Sequence, residues 1–298
     1  MPGRRRAGCR AVPAGARTSP RRDRRGPPAG GLGSWLIVDA DLQLALRLAD
    51  IADAITLPRF RAADLRVTSK PDRTPVTDAD TAAEDALRAA LAGERPDDAV
   101  LGEERGGAVP ASGRGWVLDP IDGTKNFSRG MPAWASLIAL TEHGKPVVGV
   151  VSAPALGRRW WAAAGAGAWA ADSGGAGAEP RRIVVSGVAD LADVYVSTTN
   201  LNTFRENGTL GQWLELTDRC WETRAFGDFW QHCLVAEGVL DLAVDPAAST
   251  WDLAAIQVIV EEAGGRFTDL AGTPTFAGGN GMSSNGLVHD AALSCFRP

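Results

Sequence analysis

The sequence predicts a layered fold of α-helices and β-strands, either α/β or α+β. Apolar residues recur at helical spacing in several segments, and short apolar runs bounded by turn residues lie between them. The two kinds of segment alternate along both halves of the chain, which is typical of helix layers packed on sheets. At 298 residues the chain can bury one large core or two smaller ones.

Two helices are expected in the first third of the chain. The first has apolar residues at helical spacing, a cap at Asp39 or Asp41, and an approximate end at Pro58. The second begins near Thr77, where either Thr77 or Asp78 is placed to cap it. Its alanines and leucines then recur at the same spacing and predict a buried face.

Short apolar runs predict the strands that follow. They lie at residues 99–101, 115–119, 136–140 and 147–151, with a hairpin at 142–145 and a further strand running from Trp160 toward Trp169. After residue 180, strands are expected near 183–185 and 193–198, and helices at about 204–217, 226–238 and 251–263. The last helix stops at Gly264 and Gly265.

A Gly- and Ala-rich turn region at residues 173–180 divides the ordered chain in two. We therefore expect an N-terminal α+β half at residues 37–172 and a C-terminal α/β half at residues 173–298. We see no internal repeat in either half.

Residues 1–36 form an extension rich in Arg, Pro and Gly that we expect to be disordered. Residues 1–34 hold nine arginines and one aspartate, a net charge of +8, so the remaining 264 residues carry −13. Three interpretations stay open: a basic tail that contacts nucleic acid or membrane, a targeting peptide, or a mis-assigned start with the true chain beginning near Val38, which we favour. The acidic body argues against a nucleic-acid partner.

The cysteine content points to a reducing compartment. The four cysteines show neither a CxxC pair nor a disulfide-framework spacing, so we expect reduced thiols and a cytoplasmic protein. No window holds about 18 consecutive apolar residues, and we expect no membrane span. The three histidines share no motif, and we assign them no role.

An acidic turn directly follows an apolar strand in the segment Asp119-Pro-Ile-Asp122. Carboxylates at the end of a buried strand are costly unless they are paired or bound to a cation, and the next basic residue is Lys125. Pro120 turns the chain so that both carboxylates converge, and the Ile121 carbonyl is a further hard oxygen ligand of the kind Mg²⁺ prefers. The alternative is an ordinary β-turn in which Asp122 caps a helix.

Gly123 and Thr124 then open a helical stretch, and a helix N-terminus attracts phosphate. Three other acidic positions lie at the edges of predicted elements. Asp80 is in the first turn of its helix, Glu103 follows a short strand, and Asp252 begins a helix. Each has an ordinary explanation when taken alone, as a helix-dipole partner, a solvated charge or an N-cap.

Four motifs taken together resemble the inositol monophosphatase family. They are KxxxTPVTDAD at residues 70–80, GEE at 102–104, WVLDPIDGTKNF at 116–127 and WDLAA…EEAGG at 251–265. The likeness extends from about residue 39 to residue 292. It implies a five-layered α/β/α/β/α sandwich, an Mg²⁺-dependent phosphatase acting on a small phosphomonoester, and a homodimer.

The resemblance also implies roles for individual residues. Two or three Mg²⁺ ions per active site are expected, with these ligands: Glu103, Asp119, the Ile121 carbonyl, Asp122 and Asp252. Asp80 and Thr124 are expected to orient the attacking water, which together with Glu103 makes the catalytic set. The backbone of Gly123 and Thr124 is expected to hold the phosphate, and the reaction to proceed by direct attack of metal-activated water without a covalent intermediate.

Three further stretches, at residues 123–140, 152–168 and 224–241, are most similar to a branch of the family found in actinobacteria that hydrolyses histidinol phosphate in histidine biosynthesis. This implies that Asp228 and Asp245 contact the cationic groups of the substrate, and that Arg224 binds phosphate or shapes the pocket. Asp228 could instead be a simple helix cap. The alternatives are an inositol-1-phosphate or broad sugar-phosphate phosphatase and, in a different class, a non-catalytic or RNA-associated protein that uses the basic tail.

Overall fold

The structure is a computed structural model that describes residues 32–71, 74–172 and 179–297. The predicted extension of residues 1–36 lies outside the described residues as far as residue 31, and residues 32–36 belong to the first helix. Eight α-helices are present in the described part: α1 Leu32–Arg59, α2 Asp78–Glu94, α3 Thr124–Ser128, α4 Leu201–Glu206, α5 Leu210–Arg219, α6 Asp228–Ala236, α7 Thr250–Glu262 and α8 His289–Leu293.

The strands of the described residues form three sheets. A two-stranded sheet joins β1 Val67–Ser69 to β2 Pro75–Thr77. A seven-stranded sheet has the order β3 Ala99–Gly102, β4 Arg114–Asp122, β5 Ala135–Glu142, β6 Lys145–Ala153, β7 Arg158–Ala163, β8 Gly167–Asp172 and β9 Arg181–Ile183. A five-stranded sheet has the order β11 Glu222–Arg224, β10 Tyr195–Thr198, β12 Leu242–Asp245, β14 Gly281–Ser284 and β13 Arg266–Thr268.

Helices cover both faces of each large sheet and produce five layers. Strand β4 shows why, because Trp116 and Leu118 pack with α1 and α2 on one face while Val117 packs with α6 and α7 on the other. Helices α6 and α7 fill the space between the two sheets, and α4, α5 and α8 cover the far face of the five-stranded sheet. The predicted α/β/α/β/α sandwich is therefore confirmed.

Helix α2 follows its local sequence signals. Thr77 is the N-cap, its hydroxyl accepts from the backbone N–H groups of Ala79 and Asp80, and the carboxylate of Asp80 returns to the backbone of Thr77. This capping box satisfies amides that a helix start leaves unpaired. The first helix departs from its prediction, because α1 begins at Leu32 and Asp41 lies inside it, where it accepts from two arginines instead of capping.

Glycines interrupt two elements that were predicted to be continuous. The strand expected to run from Trp160 to Trp169 is a hairpin of β7 and β8, because Gly165 and Gly167 have a φ of 78° and turn the chain. The helix expected at 204–217 is divided into α4 and α5 at Gly208, which has a φ of 70°. Strand β9 follows the segment 173–180 and still belongs to the seven-stranded sheet. Among the described residues, none of the helices has both the length and the apolar character needed to span a bilayer.

Candidate active site

Strand β4 carries two carboxylates to the centre of the site. It is buried along almost its whole length, and its register with β5 shifts between Asp119 and Asp122. In this bulge the backbone N–H of Ile121 donates to Asp119 Oδ1 at 3.0 Å. A bulge inserts extra backbone into one strand and redirects its side chains, so the irregularity lets the two carboxylates converge.

Helix α7 brings a third carboxylate to the same place. One oxygen from each of Asp119, Asp122 and Asp252 lies within 4.8 Å of the others. Asp252 is not the N-cap that the local sequence suggested. Ser249 is the cap, and Asp252 Oδ2 accepts from the backbone N–H of Ser249 at 2.7 Å in a capping box. The cap therefore fixes one oxygen of Asp252, and the cluster joins the end of β4 to the start of α7.

Helix α6 fixes the orientation of Asp122, the second carboxylate of strand β4. Asp122 Oδ2 accepts from the backbone N–H of Phe229 at 2.7 Å, and the side chain of Phe229 is buried in the layer between the two sheets. Asp122 is not the helix cap considered as an alternative, because the cap of α3 is Gly123. A contact between residues 107 positions apart thus holds this carboxylate in place.

The cluster concentrates negative charge in a buried place. Burial raises the pKa of Asp119 well above its usual range, and the charges of Glu103 and Asp122 raise it further. Burial likewise raises the pKa of Asp252 to about 7, although the N–H of Ser249 opposes the shift. Carboxylates that repel one another in a low dielectric are stabilised by a bound cation.

Glu103 lies beside the cluster, on the loop that follows β3. Its Oε1 accepts from Lys70 Nζ at 2.8 Å, and the same ammonium donates to Glu104 at 2.8 Å. Burial lowers the pKa of Lys70, but the hydrogen bonds to Glu103 and Glu104 outweigh it and raise the pKa above its usual range. Lys70 is therefore a cation, and it holds the loop that carries Glu103 and Glu104, the glutamate loop.

Glu84 of α2 supports this loop and was missed in the sequence. It is buried, and its carboxylate accepts from the backbone N–H of Glu104 at 2.6 Å and of Arg105 at 3.0 Å. Gly102 is required beside it, because a Cβ there would overlap Glu84 Oε1. The sequence around Glu84 gives no sign of this role, because the backbone N–H that its carboxylate accepts from belongs to Glu104, 20 positions away.

Thr124 and Asp80 meet as the sequence predicted. Thr124 Oγ1 lies 3.1 Å from Asp80 Oδ1 and 2.9 Å from the Ile121 carbonyl oxygen, so its single proton can be donated to either acceptor. Asp80 Oδ2 accepts from the backbone N–H of Thr77 at 2.8 Å and from its hydroxyl at 2.5 Å. Burial raises the pKa of Asp80, while the Thr77 and Thr124 contacts lower it.

A cleft opens beside the cluster. One cavity of about 620 Å³ contains the carboxylates together with Lys70 and Thr124, and an adjoining one of about 180 Å³ continues past Asp228 to Asp245. The lining of the smaller cavity carries four carboxylates against a single ammonium, and two of the four also belong to the metal-competent cluster. These five residues are Asp122, Asp228, Asp245, Asp252 and Lys125.

Asp228 and Asp245 both reach this cavity, and Arg224 does not. Asp228 begins α6 after Gly227, which holds the cap position, and its Oδ2 accepts from Asn126 Nδ2 at 3.0 Å. The alternative of a simple helix cap is therefore wrong for Asp228. Arg224 is exposed, forms an ion pair of 2.7 Å with Glu222 and lies over the ring of Tyr195.

The start of α3 adjoins the cluster, with Gly123 at a φ of 83° as its cap. A side chain at this glycine would be strained, and its Cβ would also lie 3.0 Å from the carbonyl oxygen of Ala133. Helix α3 has only five residues, so its dipole is small, and the unpaired amides of its first turn are the groups available to an anion.

The three-carboxylate cluster fits a hard divalent cation. Oxygens bound to one octahedral Mg²⁺ at about 2.0–2.1 Å lie about 3–4 Å apart, and the three oxygens of this cluster lie within 4.8 Å of one another. The donor set is entirely oxygen, without thiolate or imidazole, which favours Mg²⁺, Ca²⁺ or Mn²⁺ over zinc. The arrangement can therefore hold a cation beside a cleft of the size of a small phosphate ester.

Comparisons with known proteins find phosphatases of similar sequence and fold. The chain is 54% identical over 254 residues to a histidinol-phosphatase of Mycobacterium tuberculosis, which covers 85% of this chain and 96% of that protein. It is 51% identical over 258 residues to a histidinol-phosphatase of Streptomyces coelicolor, with 85% and 95% covered. A solved inositol monophosphatase from Zymomonas mobilis superposes with a TM-score of 0.74 at 34% identity, covering 87% of this chain and 98% of that one.

A profile of the inositol monophosphatase family matches residues 38–294, almost the full length of the described structure. The match contains all four of the acidic motifs and both large sheets. With its fold, its metal-competent cluster and this profile in agreement, the chain belongs to the inositol monophosphatase family.

Proposed function

We propose that this chain is an Mg²⁺-dependent histidinol-phosphatase, which converts histidinol phosphate and water into histidinol and phosphate. The observation that carries the proposal is the buried cluster of Asp119, Asp122 and Asp252, which opens on a cleft with further carboxylates. The relatives named above support the choice of substrate, since both are histidinol-phosphatases at more than half identity over most of their length.

The cluster would hold the metal, with two or three ions in each site. Asp119, Asp122 and Asp252 supply carboxylates, Glu103 adds a fourth, and the Ile121 carbonyl is an additional oxygen donor. When bound, Mg²⁺ neutralises charge on the phosphate and lowers the pKa of water, so that hydroxide is available near neutral pH. The amides of Gly123 and Thr124 would bind phosphate oxygens.

Thr124 and Asp80 would accept the proton that the attacking water loses. The Thr124 hydroxyl is held by Asp80 Oδ1 and the Ile121 carbonyl, so its lone pairs can accept a proton from water while its own proton passes to Asp80. Burial makes the Asp80 carboxylate more basic, which favours this transfer. No cysteine or serine nucleophile is needed.

The smaller cavity would bind the leaving group. Histidinol carries an ammonium and an imidazole, and the cavity wall offers them Asp228 and Asp245. Inositol has no cationic group, so these two carboxylates give it no comparable electrostatic stabilisation. Arg224 would act only from outside the cavity, through its contacts with Glu222 and Tyr195.

Two measurements test the proposal. The kcat/KM values for histidinol phosphate and for inositol 1-phosphate are compared at equal Mg²⁺, and we expect a clear preference for histidinol phosphate. A preference for the inositol ester would reject the substrate. Excess EDTA should abolish phosphate release and added Mg²⁺ should restore it, whereas activity that persists after chelation would reject the metal-dependent chemistry.

We further propose a cytoplasmic homodimer with no nucleic-acid partner. The three cysteines of the described residues are free thiols, which suits a reducing compartment, and the acidic body disfavours nucleic acid. Light scattering after size exclusion measures the mass in solution. A monomer would contradict the dimer, and retention on a nucleic-acid column after deletion of residues 1–34 would contradict the last point.

A further inference from the structure

One threonine hydroxyl joins the carboxylate of Asp245 to the backbone of Asp228. Thr199 Oγ1 donates to Asp245 Oδ1 at 2.6 Å and accepts from the backbone N–H of Asp228 at 3.0 Å. Because a hydroxyl has one proton and the carboxylate can only accept, the directions of both bonds are fixed. Thr199 directly follows β10, and its position is therefore set by the five-stranded sheet.

A buried histidine holds the other oxygen of the same carboxylate. His232 Nε2 lies 2.9 Å from Asp245 Oδ2, and its Nδ1 lies 2.8 Å from Ser283 Oγ. The ring is 1% exposed, so both nitrogens have protein partners. Each oxygen of Asp245 thus has its own donor, and rotation of the carboxylate would break one of the two bonds.

Asp228 has a conformation that needs such support. Its φ is +47°, which a residue with a side chain rarely adopts. Thr199 accepts its N–H and Asn126 donates to its carboxylate, and these contacts hold the strained backbone. Strain of this kind persists where the surrounding structure fixes it and is common at ligand sites.

We propose that Thr199 and His232 are positioning residues that hold Asp228 and Asp245 as one unit for two cationic groups of a single substrate. The inference rests on the proposed function and extends it, because it names the residues that fix the carboxylate of Asp245 and the backbone of Asp228. A pair with fixed geometry loses little rotamer freedom when the substrate binds, so the cost of ordering is already met by the fold.

Thr199→Val is the direct test, because valine keeps the shape and removes the hydroxyl. The substrates are histidinol phosphate and glycerol 2-phosphate, which has no cationic group. For histidinol phosphate we expect kcat/KM to fall by about tenfold or more, chiefly through KM, as for loss of a hydrogen bond to a charged group. The ratio of the two kcat/KM values should fall with it, and Thr199→Ser should restore the ratio.

The neighbouring residue gives a matched control. Thr198 is buried, ends β10, and its hydroxyl has no hydrogen-bond partner among the described residues. Thr198→Val makes the same chemical change one position away and should leave the substrate ratio within about twofold of the wild type, since no hydrogen bond is lost. An equal loss in both valine variants would mean that the strand, and not the Thr199 bridge, is responsible, and would overturn the inference.

His232 is tested by two amides of different reach. The side-chain nitrogen of Gln mimics Nε2, whereas that of Asn mimics Nδ1, so His232→Gln can still donate to Asp245 and His232→Asn cannot. We expect the Gln variant to keep more of the preference for histidinol phosphate, with Tm recorded to confirm that both variants fold. Equal ratios in two folded variants would overturn the role of His232.

The outcomes separate this inference from the proposed function. A wild-type enzyme that prefers histidinol phosphate, with a Thr199→Val variant that keeps the full preference, rejects only the positioning role. A wild-type enzyme with no preference for histidinol phosphate rejects the proposed substrate, and the positioning role falls with it. An equal fall in kcat/KM for both substrates in Thr199→Val also rejects the positioning role, because it would mean that Thr199 acts in the chemistry common to both.

Discussion

Two buried aspartates of this protein, Asp41 and Asp119, differ in the charges that surround them. Asp41 of α1 accepts from Arg95 and Arg114, each at 2.8 Å, and its side chain is 2% exposed. Asp119 is equally buried, but its neighbours are other carboxylates, which add to the effect of burial in raising its pKa. The charge of Asp41 is neutralised by arginines of the same chain, whereas the charge of the Asp119 cluster would be neutralised by a bound cation.

The comparison teaches how to distinguish a structural charge from a functional one. Burial alone does not separate them, since both positions exclude water. The sign of the surrounding charge does, because evolution of a stable core favours a paired carboxylate and tolerates mutual repulsion only where a ligand relieves it. Mutations at the two positions should therefore have opposite effects on activity and stability.

Asp119→Asn should have the largest effect on activity. It removes a carboxylate from the cluster, and we expect kcat to fall by at least about a thousandfold, as loss of several kcal/mol of electrostatic stabilisation implies. The Tm in EDTA should stay the same or rise, because repulsion with Asp122 is relieved. Phosphate release and differential scanning calorimetry measure the two quantities, and normal turnover would refute the site.

Asp41→Asn should do the reverse. It leaves Arg95 and Arg114 without their shared partner, and since both guanidiniums are 29% exposed we expect a loss of about 2 kcal/mol, less than for a fully buried pair. Urea unfolding measures the loss, and kcat below the unfolding transition should match the wild type. A stable Asp41→Asn protein with low activity would break the comparison.

Glu84→Gln should weaken Mg²⁺ binding without touching the cluster. Its amide cannot accept from both backbone N–H groups of the glutamate loop, so Glu103 is held less firmly, and the Mg²⁺ concentration for half-maximal activity should rise about tenfold. Asp85→Asn is the matched control, since Asp85 pairs with Arg105 at the surface. Similar Mg²⁺ requirements in both variants would contradict the role of Glu84.

The stability of the protein in EDTA should also depend on pH. Burial raises the pKa of Asp252 from 3.8 to about 7 in the folded state, so the folded protein binds more protons than the unfolded one between these values. Stability should then fall as pH rises from about 4 to about 7, with a slope that Asp252→Asn reduces. Saturating Mg²⁺ should remove the decline, and an unchanged slope in Asp252→Asn would assign it to other groups.

The parts predicted well from the sequence depend on local signals. A few adjacent residues are enough to predict each of three features: helix α2 with its Thr77 cap, strand β4 with the acidic turn that follows it, and the end of α7 at Gly264. The proposed ligand set came from four motifs rather than from periodicity. Arg224 was placed at the pocket by its position in a similar stretch, and the structure brings its side chain to Glu222 instead.

Long-range contacts account for what the sequence did not reveal. His232 was assigned no role because the three histidines share no motif, yet it meets Asp245 and Ser283 through the fold of the five-stranded sheet. Glu84 and Thr199 act in the same way, each on a backbone N–H about 20 to 30 positions away. Such pairs carry no period and no motif, so only the packed structure shows them.

A thermal shift with Mg²⁺ on three proteins tests whether the Asp119 cluster binds a cation. Wild type, Asp41→Asn and Asp119→Asn are freed of metal and titrated with MgCl₂, and Tm is recorded at each concentration. A cation that binds only the folded state raises Tm. We predict equal increases in wild type and Asp41→Asn and none in Asp119→Asn; an Asp119→Asn protein that gains as much as the wild type would contradict the account.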